Sequence, residues 1–531
     1  MSDPVDLWRW RRAATVRRRD RIILAMLIGA GFLLIIRFAD WWFRPAHVGQ
    51  GALFVLLTLA LWYGVTRIIL GWIALIRVSA PPHVPAPTGA TVAIFTTSSP
   101  GEPLAMFEKT LAACARVTYP HTTYLLDDTR DPAFAELARQ HGAVHLELVG
   151  IPGAKAGKIN AALERTTEEF ILVLDPDHIP FPMFLDRVIG HFSDERIGFV
   201  QVAQAYYNQT RSFTARAAAE QTYIFYGPTQ MGLHGHGAAV AIGANCTFRR
   251  AALATIGGHG IGLAEDLVTA IRLHARGWRS SYVPEVLSRG LVPEDIGSFY
   301  KQQLKWARGV YEVAFSELPR AFRTLTWRQR LSYATIGTYY MFGITTLAYL
   351  VIPYLYLWTG VQPATMRFEE FISTGVPVAL IGIGVYAFSQ RWLCHPEHER
   401  GLHWRGLMLK MACWWIFLMG TVLAIAHAHI PYIPTAKEAQ RGRFLRLAAP
   451  HLALLVLYLV TLGSTVYARM YRVSEGSLML TSEAAWAMLG FATFAVVLCS
   501  GGIQAAWSAR TPPTGGAWDD IDVTAIAGET A

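Results

Sequence analysis

Acidic, amide, basic and aromatic side chains are grouped at two points within residues 262–309. The first point is the carboxylate pair Glu265 and Asp266, and an ionised carboxylate can remove a proton from a hydroxyl group. The second point is a cluster that can hold both anions and sugars: Gln302, Gln303, Lys305, Trp306 and Arg308. This stretch is therefore the first candidate for a catalytic centre.

A second acidic pair, Asp175 and Asp177, comes directly after the apolar run 170–174. That run is typical of a buried strand, and two carboxylates one residue apart at a strand end can share a hard divalent cation. Such a cation would neutralise a diphosphate leaving group. Surface carboxylates in a turn are the commoner reason for an Asp-x-Asp pattern, so the pair alone leaves both interpretations open.

The order of these groups along the chain resembles a known family, the processive family-2 glycosyltransferases such as cellulose, curdlan, chitin and hyaluronan synthases. The D, DxD, TED and QxxRW series of its cellulose-synthase-like members is similar, across residues 90–310, to four groups here: Asp127-Asp128, Asp175-Pro176-Asp177, Ala264-Glu265-Asp266 and Gln302-Gln303-Leu304-Lys305-Trp306. The resemblance implies a GT-A catalytic domain, a UDP-sugar substrate and a bound Mg²⁺ or Mn²⁺.

The resemblance also implies a role for each group. Asp266, beside Glu265, is the expected general base, although an acid at a helix start also favours the helix dipole. Asp177 is the expected main metal ligand, with Asp175 binding metal or nucleotide. Other nucleotide-binding residues are expected at Thr96, Glu102, Asp127, Asp128, Lys155, Gln302 and Lys305, of which Thr96, Glu102 and Asp127 or Asp128 hold the uridine and ribose.

Three positions depart from the family pattern. Ala264 replaces the threonine of TED, which removes a hydroxyl but keeps the base. Lys305 replaces the arginine of QxxRW, so a point charge replaces a bidentate grip on the diphosphate. Lys158 stands where the family has asparagine and adds positive charge.

The resemblance extends to groups that handle the acceptor sugar and cover the nucleotide. Trp306 is expected to form a platform for the terminal sugar, and its alternative is a buried aromatic between domain and membrane. Gly243 and Asn245 resemble the loop that positions the acceptor, although the family's aromatic pair and cysteine are replaced. Residues 432–437 resemble a gating loop, with Thr435 and Lys437 facing the nucleotide.

The composition indicates that part of the chain faces lipid. Of 531 residues, 53% are hydrophobic and 16% are charged, which is too apolar for a water-soluble enzyme of this size. The net charge of +9 does not require a nucleic-acid partner. Positively charged loops on the cytoplasmic side of a membrane and an anionic nucleotide substrate account for it equally well. The five cysteines are far apart in the sequence and show no metal-binding spacing, so we expect isolated thiols.

Apolar segments lie on both sides of the candidate catalytic region. Residues 22–38 and 52–76 follow a basic N-terminus, and each can cross a bilayer, which takes roughly 20 helical residues. Residues 407–426 lie between two positive loops that should share the inner side, so we expect an interfacial or re-entrant helix there and six crossings. The other candidate spans are 331–358, 376–392, 451–468 and 484–507.

Between the membrane regions, short β-rich runs alternate with charged helical segments from residue 91 onwards. This alternation predicts a doubly wound, mostly parallel, Rossmann-like α/β sheet whose ligands bind beyond the carboxyl ends of the strands. We therefore expect a cytosolic GT-A domain inserted in a transmembrane helical bundle. The predicted units are 1–78 (basic N-terminus and two spans), 88–320 (catalytic domain), 331–507 (channel helices) and 511–531 (disordered tail).

Together these features predict a bacterial inner-membrane enzyme that adds sugars, with inversion, from a UDP-sugar to a growing β-glycan and translocates it. UDP-glucose and a cellulose- or curdlan-like glucan are the first choice. Chitin- or hyaluronan-type synthesis from UDP-GlcNAc and non-processive transfer to a lipid phosphate stay open. The expected partners are the UDP-sugar, the growing polysaccharide, the bilayer and periplasmic or regulatory subunits, and no nucleic acid.

Overall fold

The computed structural model describes residues 7–428, 430, 434–471 and 483–526. Two long helices, α1 (Arg18–Trp42) and α2 (Gly51–Ile76), come first, and a mixed α/β domain follows them. The domain contains a single large sheet with helices on both faces. Further long helices complete the chain.

Seven strands form that sheet. They are, in chain order, β1 (Val92–Thr97), β2 (Thr122–Asp127), β3 (Val144–Glu147), β4 (Phe170–Leu174), β5 (Ile197–Val202), β6 (Cys246–Arg249) and β7 (Arg279–Val283). Across the sheet the order is β3-β2-β1-β4-β6-β5-β7, and β6 is antiparallel to both of its neighbours. The other pairs are parallel, which confirms the predicted GT-A-like architecture.

Strand β1 shows why the strands are apolar without alternation. Val92 and Ile94 belong to the hydrophobic core on one face of the sheet, whereas Ala93 and Phe95 belong to the core on the other face. A strand covered on both faces must be apolar at every position. The main helices of the domain are α3 (Leu104–Cys114), α4 (Pro132–Gln140), α5 (Ala154–Leu163), α6 (Phe213–Glu220), α7 (Glu265–Ala275) and α8 (Ile296–Glu312).

The register of the parallel strands places acidic residues at one edge. Thr96 of β1 lies opposite Leu125 of β2 and Leu174 of β4. Asp127 and Asp175 follow shortly after those partners, so both aspartates reach the same carboxyl edge of the sheet. This is the edge at which open α/β sheets bind ligands.

Seven further helices follow the domain: α9 (Trp327–Gly337), α10 (Phe342–Thr359), α11 (Phe368–Ser389), α12 (Trp404–Ala412), α13 (Trp414–Ile425), α14 (Phe444–Tyr471) and α15 (Glu483–Ser508). Counting α9 and α10 as one span, six helical segments of the described chain are long and apolar enough to cross a membrane. Helices α12 and α13 meet at a bend of 46° and add a seventh only if they form one broken span. The predicted multi-pass architecture is confirmed, whereas the interfacial role of 407–426 stays a prediction.

Shorter helices complete the described structure. They cover Phe184–Val188, Gln230–Gly235, Arg250–Ala254, Leu318–Ala321 and Pro396–Glu399. All five cysteines are buried free thiols, as their spacing predicted.

The prediction that residues 511–531 are disordered is wrong for residues 511–526, which we call the C-terminal strap. Trp518 is only 2% exposed, and Ile521 is buried with it in the core. Lys109 Nζ of α3 donates a hydrogen bond to the Ile521 carbonyl (2.9 Å), and the Arg211 guanidinium donates to the Thr514 carbonyl (3.1 Å). The average composition of the segment is polar, but its few apolar side chains suffice to dock it. Residues 527–531 lie outside the described residues.

The basic N-terminus is also docked on the domain. Arg11–Arg12 pairs antiparallel with Glu285–Val286, and the Trp8 ring lies 6.0 Å from the Tyr207 ring. The first part of this basic run therefore contacts the catalytic domain in addition to leading into α1.

Replacing Trp518 with alanine should release the strap, because a buried Trp→Ala change costs about 3 kcal/mol or more. We expect faster amide exchange across residues 511–526 and faster tryptic cleavage after Arg510. Trp507→Ala is the matched control, since that indole is 60% exposed on α15. Equal exchange rates in the two variants would show that the strap does not depend on Trp518.

The predicted side of each loop can be tested with single cysteines at Arg400, Glu438 and Arg367, because the native cysteines are buried. We expect a membrane-impermeant maleimide to label the first two from the side that labels Arg139→Cys in the catalytic domain. Arg367→Cys, between α10 and α11, should be labelled from the opposite side. Labelling of Glu438→Cys together with Arg367→Cys would show that α12 and α13 cross the membrane.

Candidate active site

The predicted chemical groups converge at the carboxyl edge of the sheet. Strand β4 leads into Asp175 and Asp177, α5 carries Lys155, and α7 begins with Glu265 and Asp266. Helix α8 brings Gln302, Lys305 and Trp306, and the segment 434–443 between α13 and α14 brings Lys437.

Each aspartate of the Asp-x-Asp pair holds a lysine. Lys155 Nζ lies 2.5 Å from Asp175 Oδ1 and also donates to the Gly243 carbonyl. Lys437 Nζ lies 2.8 Å from Asp177 Oδ1. Burial opposes ionisation of both carboxyls, but the lysine charges outweigh it and lower the pKa of each aspartate. Both acids are therefore ionised and available as ligands.

His178 adds a third potential metal ligand that sequence reasoning missed. Ligand atoms of Asp175, Asp177 and His178 all lie within 4.8 Å of one another. The buried His178 Nδ1 lies 3.6 Å from Asp177 Oδ1 and makes no hydrogen bond to any part of the chain that the structure describes. Its Nε2 contacts the Gln204 amide nitrogen at 2.6 Å. Two carboxylates with one such imidazole nitrogen fit a divalent cation.

The adjacency of His178 to Asp177 was the signal that could have identified it. A neutral imidazole is the commonest protein metal ligand, and His178 directly follows a predicted metal ligand in the sequence. The sequence pattern alone did not show which way its ring turns.

Glu265 and Asp266 form a partly buried acid pair at the start of α7. Burial, together with the neighbouring Glu265 charge, raises the pKa of Asp266 to about 7. Burial also raises the pKa of Glu265, although the Lys155 ammonium opposes this. Gly243 has a φ of +82°, and a Cβ there would lie 3.3 Å from Asp266 Oδ2. A glycine therefore leaves open space beside this carboxylate.

The structure distinguishes the two aspartates at the end of β2. Asp127 is buried, and its Oδ1 accepts hydrogen bonds from the Ser98 hydroxyl and the Thr129 amide, while Oδ2 lies 2.9 Å from His145 Nε2. Asp128 is more exposed and accepts from the Gly150 amide. Both carboxylate oxygens of Asp127 are thus occupied by protein hydrogen bonds, whereas the more exposed Asp128 carboxylate can still accept a hydrogen bond from a ligand.

Lys158 lies near Asp128 and away from the Asp-x-Asp pair. Its Nζ donates to the Ser98 carbonyl (2.5 Å) and lies 3.4 Å from Asp128 Oδ2. Glu102 accepts from the Ser99 amide, and burial raises its pKa. The extra positive charge that Lys158 adds is therefore neutralised beside Asp128 and does not reach Asp175 or Asp177.

Two predicted contact residues are more enclosed than their proposed roles suggest. Thr96 is fully buried within β1, which separates its hydroxyl from the open acids. Asn245 is also buried: its side-chain amide donates to Gln204 Oε1 (2.7 Å), and its Oδ1 accepts from the Ser288 hydroxyl (2.5 Å). Asn245 therefore supports Gln204, the partner of His178, and only Gly243 of the predicted acceptor loop borders the acid pair.

Helix α8 lies against the start of α7. A Cβ at Gly309 would lie 3.0 Å from the Ala264 Cβ and from the Ala264 backbone nitrogen, so position 309 needs a glycine for this close approach. Lys305 is largely enclosed; burial lowers its pKa, while the charges of Glu265 and Asp175 oppose the change. Trp306 is partly buried and packs against the cluster that joins the domain to the membrane helices. The close contact between the helices couples the acid pair to the QQLKW segment.

The described part of the predicted gating loop reaches the site through Lys437. Thr435 is partly exposed, and Tyr432 and Ile433 lie outside the described residues. The loop continues to Gln440, whose amide donates to Asp295 Oδ2 at the N-terminus of α8.

A GT-A-like sheet with a partly buried acid pair and an Asp-x-Asp-His set at its carboxyl edge is typical of a glycosyltransferase catalytic domain. Residues 170–362 match the family described as glycosyl transferase family group 2. The chain is also 29% identical over 362 residues to the cellulose synthase catalytic subunit (UDP-forming) of Komagataeibacter sucrofermentans, covering 65% of this chain and 47% of that protein. The same-named subunit of Xanthomonas axonopodis pv. citri is 28% identical over 351 residues, covering 62% of this chain and 48% of that protein.

These matches confirm the predicted resemblance to family-2 glycosyltransferases of the cellulose-synthase-like type. The chain spans about half the length of these curated relatives. Among solved structures, a mannosyltransferase from Pyrobaculum calidifontis in complex with GDP-Man and Mn²⁺ is 15% identical, with a TM-score of 0.48, and covers 71% of this chain and 100% of that chain.

Proposed function

We propose that this protein polymerises glucose from UDP-glucose into a linear β-glucan and passes the product through its own membrane helices. The observation that carries the proposal is one site in which a partly buried acid pair, an Asp-x-Asp-His set and a half-buried tryptophan meet beside the membrane bundle. The relatives named UDP-forming cellulose synthase subunits support UDP-glucose as the donor.

The donor end of the site is built from Asp128, Asp175 and Asp177 with the lysines around them. Asp128 is available to the nucleoside, and Lys155 is held where it can meet the diphosphate. Asp175, Asp177 and His178 would hold Mg²⁺ or Mn²⁺, and a bound cation of this kind neutralises the charge of a diphosphate leaving group. Without it, both aspartates would repel the diphosphate.

The acceptor end is built from Asp266, Gly243 and Trp306. Asp266 accepts the proton of the acceptor hydroxyl, whose oxygen attacks the anomeric carbon from the face opposite the departing UDP, so the configuration inverts. A base works best when its pKa lies near the working pH, which a value of about 7 satisfies. The Trp306 indole offers an apolar face to the terminal sugar, as aromatic rings do in sugar-binding sites.

The proposed setting is a bacterial inner membrane with the catalytic domain in the cytoplasm. Exposed Arg400 lies in the loop that precedes α12, and the partly exposed Arg405 lies in the first turn of α12. Exposed Arg441 and Arg443 lie in the loop that precedes α14. Positive loops remain on the inner side. Periplasmic or regulatory subunits would act on the emerging chain.

The test of the proposal is synthesis by the purified full-length protein in detergent. Incubation with radiolabelled UDP-glucose, UDP-GlcNAc or GDP-mannose, followed by linkage-specific glycanase digestion, identifies both sugar and linkage. We expect a glucanase-sensitive polymer from UDP-glucose alone. A chitinase- or hyaluronidase-sensitive product, or a single sugar on a lipid phosphate, would replace this proposal with one of its alternatives.

Three substitutions should separate the roles. Asp266→Asn should leave UDP binding intact and reduce transfer by about 10²- to 10⁴-fold, because a general base is lost. Asp177→Asn should weaken metal-dependent UDP binding itself. Trp306→Ala should leave UDP affinity unchanged and shorten the product.

UDP affinity and polymer length are measured at fixed metal concentration, with Glu136→Gln on the exposed face of α4 as control. Loss of UDP binding in Asp266→Asn but not in Asp177→Asn would reverse the assignments.

The rate of transfer should depend on the ionisation of Asp266. A base acts only when it is deprotonated, so kcat/KM should rise as the pH rises through about 7 and then level off. Glu265→Gln should move this midpoint to lower pH, because it removes a negative charge that raises the pKa of Asp266. A pH profile without this limb, or a midpoint unchanged by Glu265→Gln, contradicts the assignment of Asp266 as the base.

A further inference from the structure

A chain of three polar side chains leads from His178 into the interior of the catalytic domain. His178 Nε2 lies 2.6 Å from the Gln204 amide nitrogen, and Gln204 Oε1 accepts a hydrogen bond from the Asn245 amide nitrogen (2.7 Å). Asn245 Oδ1 in turn accepts from the Ser288 hydroxyl (2.5 Å). Asn245 and Ser288 are fully buried, and Gln204 is partly buried. We call Gln204, Asn245 and Ser288 the amide relay.

The packing around His178 leaves its imidazole ring one position. The short strand Ser288–Arg289 pairs antiparallel with Ile179–Pro180, which directly follows His178 in the sequence. A Cβ at Gly290 would lie 2.4 Å from His178 Cε1, so glycine at that position makes room for the ring. In this position Nε2 faces the relay, and Nδ1 lies 3.6 Å from Asp177 Oδ1. Nδ1 is therefore the nitrogen that can share a cation with Asp177.

The direction of the relay in the structure does not suit a metal ligand at Nδ1. The Gln204 amide nitrogen can only donate, so Nε2 of His178 must accept, and a neutral imidazole then carries its proton on Nδ1. A protonated Nδ1 is compatible with the nearby Asp177 carboxylate but has no lone pair for a cation. Cation binding at Nδ1 therefore needs the ring proton on Nε2, where it must meet an acceptor.

The relay can provide that acceptor by reversing its hydrogen bonds. A half-turn of the Gln204 amide group presents Oε1 to the Nε2 proton of His178 and the amide nitrogen to Asn245. A half-turn of the Asn245 amide group then presents Oδ1 to Gln204 and its nitrogen to Ser288. A hydroxyl both donates and accepts, so the relay can end at Ser288 in either direction. Each bond within the relay is kept, which avoids the cost of an unpaired buried amide.

We propose that Gln204, Asn245 and Ser288 are positioning residues for the metal site, and that the relay reverses as a unit when a divalent cation binds His178 Nδ1. The ring gives the Nδ1 proton to water and takes one from water at Nε2, so its charge does not change. The inference rests on the proposed function only for the identity of the metal site. It adds a buried device that selects which imidazole nitrogen is open to the cation.

The first test measures Mn²⁺ binding by the full-length protein in detergent without nucleotide, from the paramagnetic resonance signal of free Mn²⁺. Gln204→Leu keeps most of the side-chain volume but cannot bond to the ring, so affinity should fall about 10- to 100-fold, as it does when other groups that orient a metal ligand are removed. Ser280→Ala is the matched control, because it removes a buried hydroxyl that contacts His274 and the Ala239 carbonyl. The control should bind Mn²⁺ as wild type does.

The second test asks whether the imidazole coordinates the cation. Nitrogen modulation of the electron spin echo of bound Mn²⁺ reports a directly bound ring nitrogen. We expect this modulation in wild type and in Ser280→Ala, its absence in His178→Gln, and a weaker signal in Gln204→Leu. A role of Gln204 in packing alone would not alter the modulation of the Mn²⁺ that remains bound.

The third test concerns the direction of the relay. Aspartate accepts hydrogen bonds but does not donate them, so Asn245→Asp fits only the reversed relay, in which Gln204 donates to residue 245. Asn245 has a φ of +56°, a conformation that aspartate also tolerates. We expect Asn245→Asp to keep full nitrogen modulation and to bind Mn²⁺ at least as tightly as wild type. Ser288→Ala removes the acceptor that the reversed Asn245 amide needs, and should weaken Mn²⁺ binding about tenfold.

Wild-type Mn²⁺ affinity and modulation in Gln204→Leu, or modulation that persists in His178→Gln, would overturn the positioning role. Loss of modulation in Asn245→Asp, or unchanged affinity in Ser288→Ala, would overturn the reversal. All of these results leave the transferase proposal standing. Its own failure would appear as absence of polymer from any nucleotide sugar, while the Mn²⁺ affinities and the nitrogen modulation follow the pattern expected here.

Discussion

The site depends on the neutralisation of two carboxylates that lie one residue apart, one of them buried (Asp177) and the other partly exposed (Asp175). Asp175 and Asp177 follow an apolar strand, and both remain ionised because a lysine lies against each of them. Burial alone would raise both pKa values, and mutual repulsion would add to that effect. Lys155 and Lys437 reverse the balance, and they come from opposite sides of the site, one from the catalytic domain and one from the membrane region. Neutralising the two aspartates at the end of this strand therefore brings the membrane region, through Lys437, into contact with the catalytic domain.

A second contact joins the same two parts at the acceptor end. Helix α8 carries the QQLKW segment, and it approaches the acid pair closely because Gly309 meets Ala264. The Asp295 carboxylate at its N-terminus accepts a hydrogen bond from the backbone amide of Gln440, in the loop that carries Lys437. The acid pair, Trp306 and the loop are thus positioned by one helix.

Much of the fold and part of the site could be predicted from the sequence. Apolar runs of strand length, long apolar spans and the spacing of Asp175, Asp177, Glu265 and Asp266 are local properties, and the structure places these elements as expected. The misses concern side-chain direction and long-range packing. His178 joins the acids because its ring turns towards them, and Asp127 is saturated because Ser98 and His145 come from other elements. The strap docks because Trp518 is buried in the hydrophobic core, a contact that the polar composition of the strap does not indicate.

The sequence by itself determined the class of domain, the membrane segments and the residue types that could do chemistry, because periodicity and spacing are written along the chain. Only the tertiary structure decided which of two adjacent aspartates is open, that Lys158 pairs with Asp128 and lies away from Asp175 and Asp177, and that Lys437 meets Asp177. Those outcomes depend on which charges and hydrogen-bond partners from distant segments share one buried space. Burial makes such pairings mandatory, since an unpaired charge there is costly, but the identity of each partner is set by the packing of the whole chain.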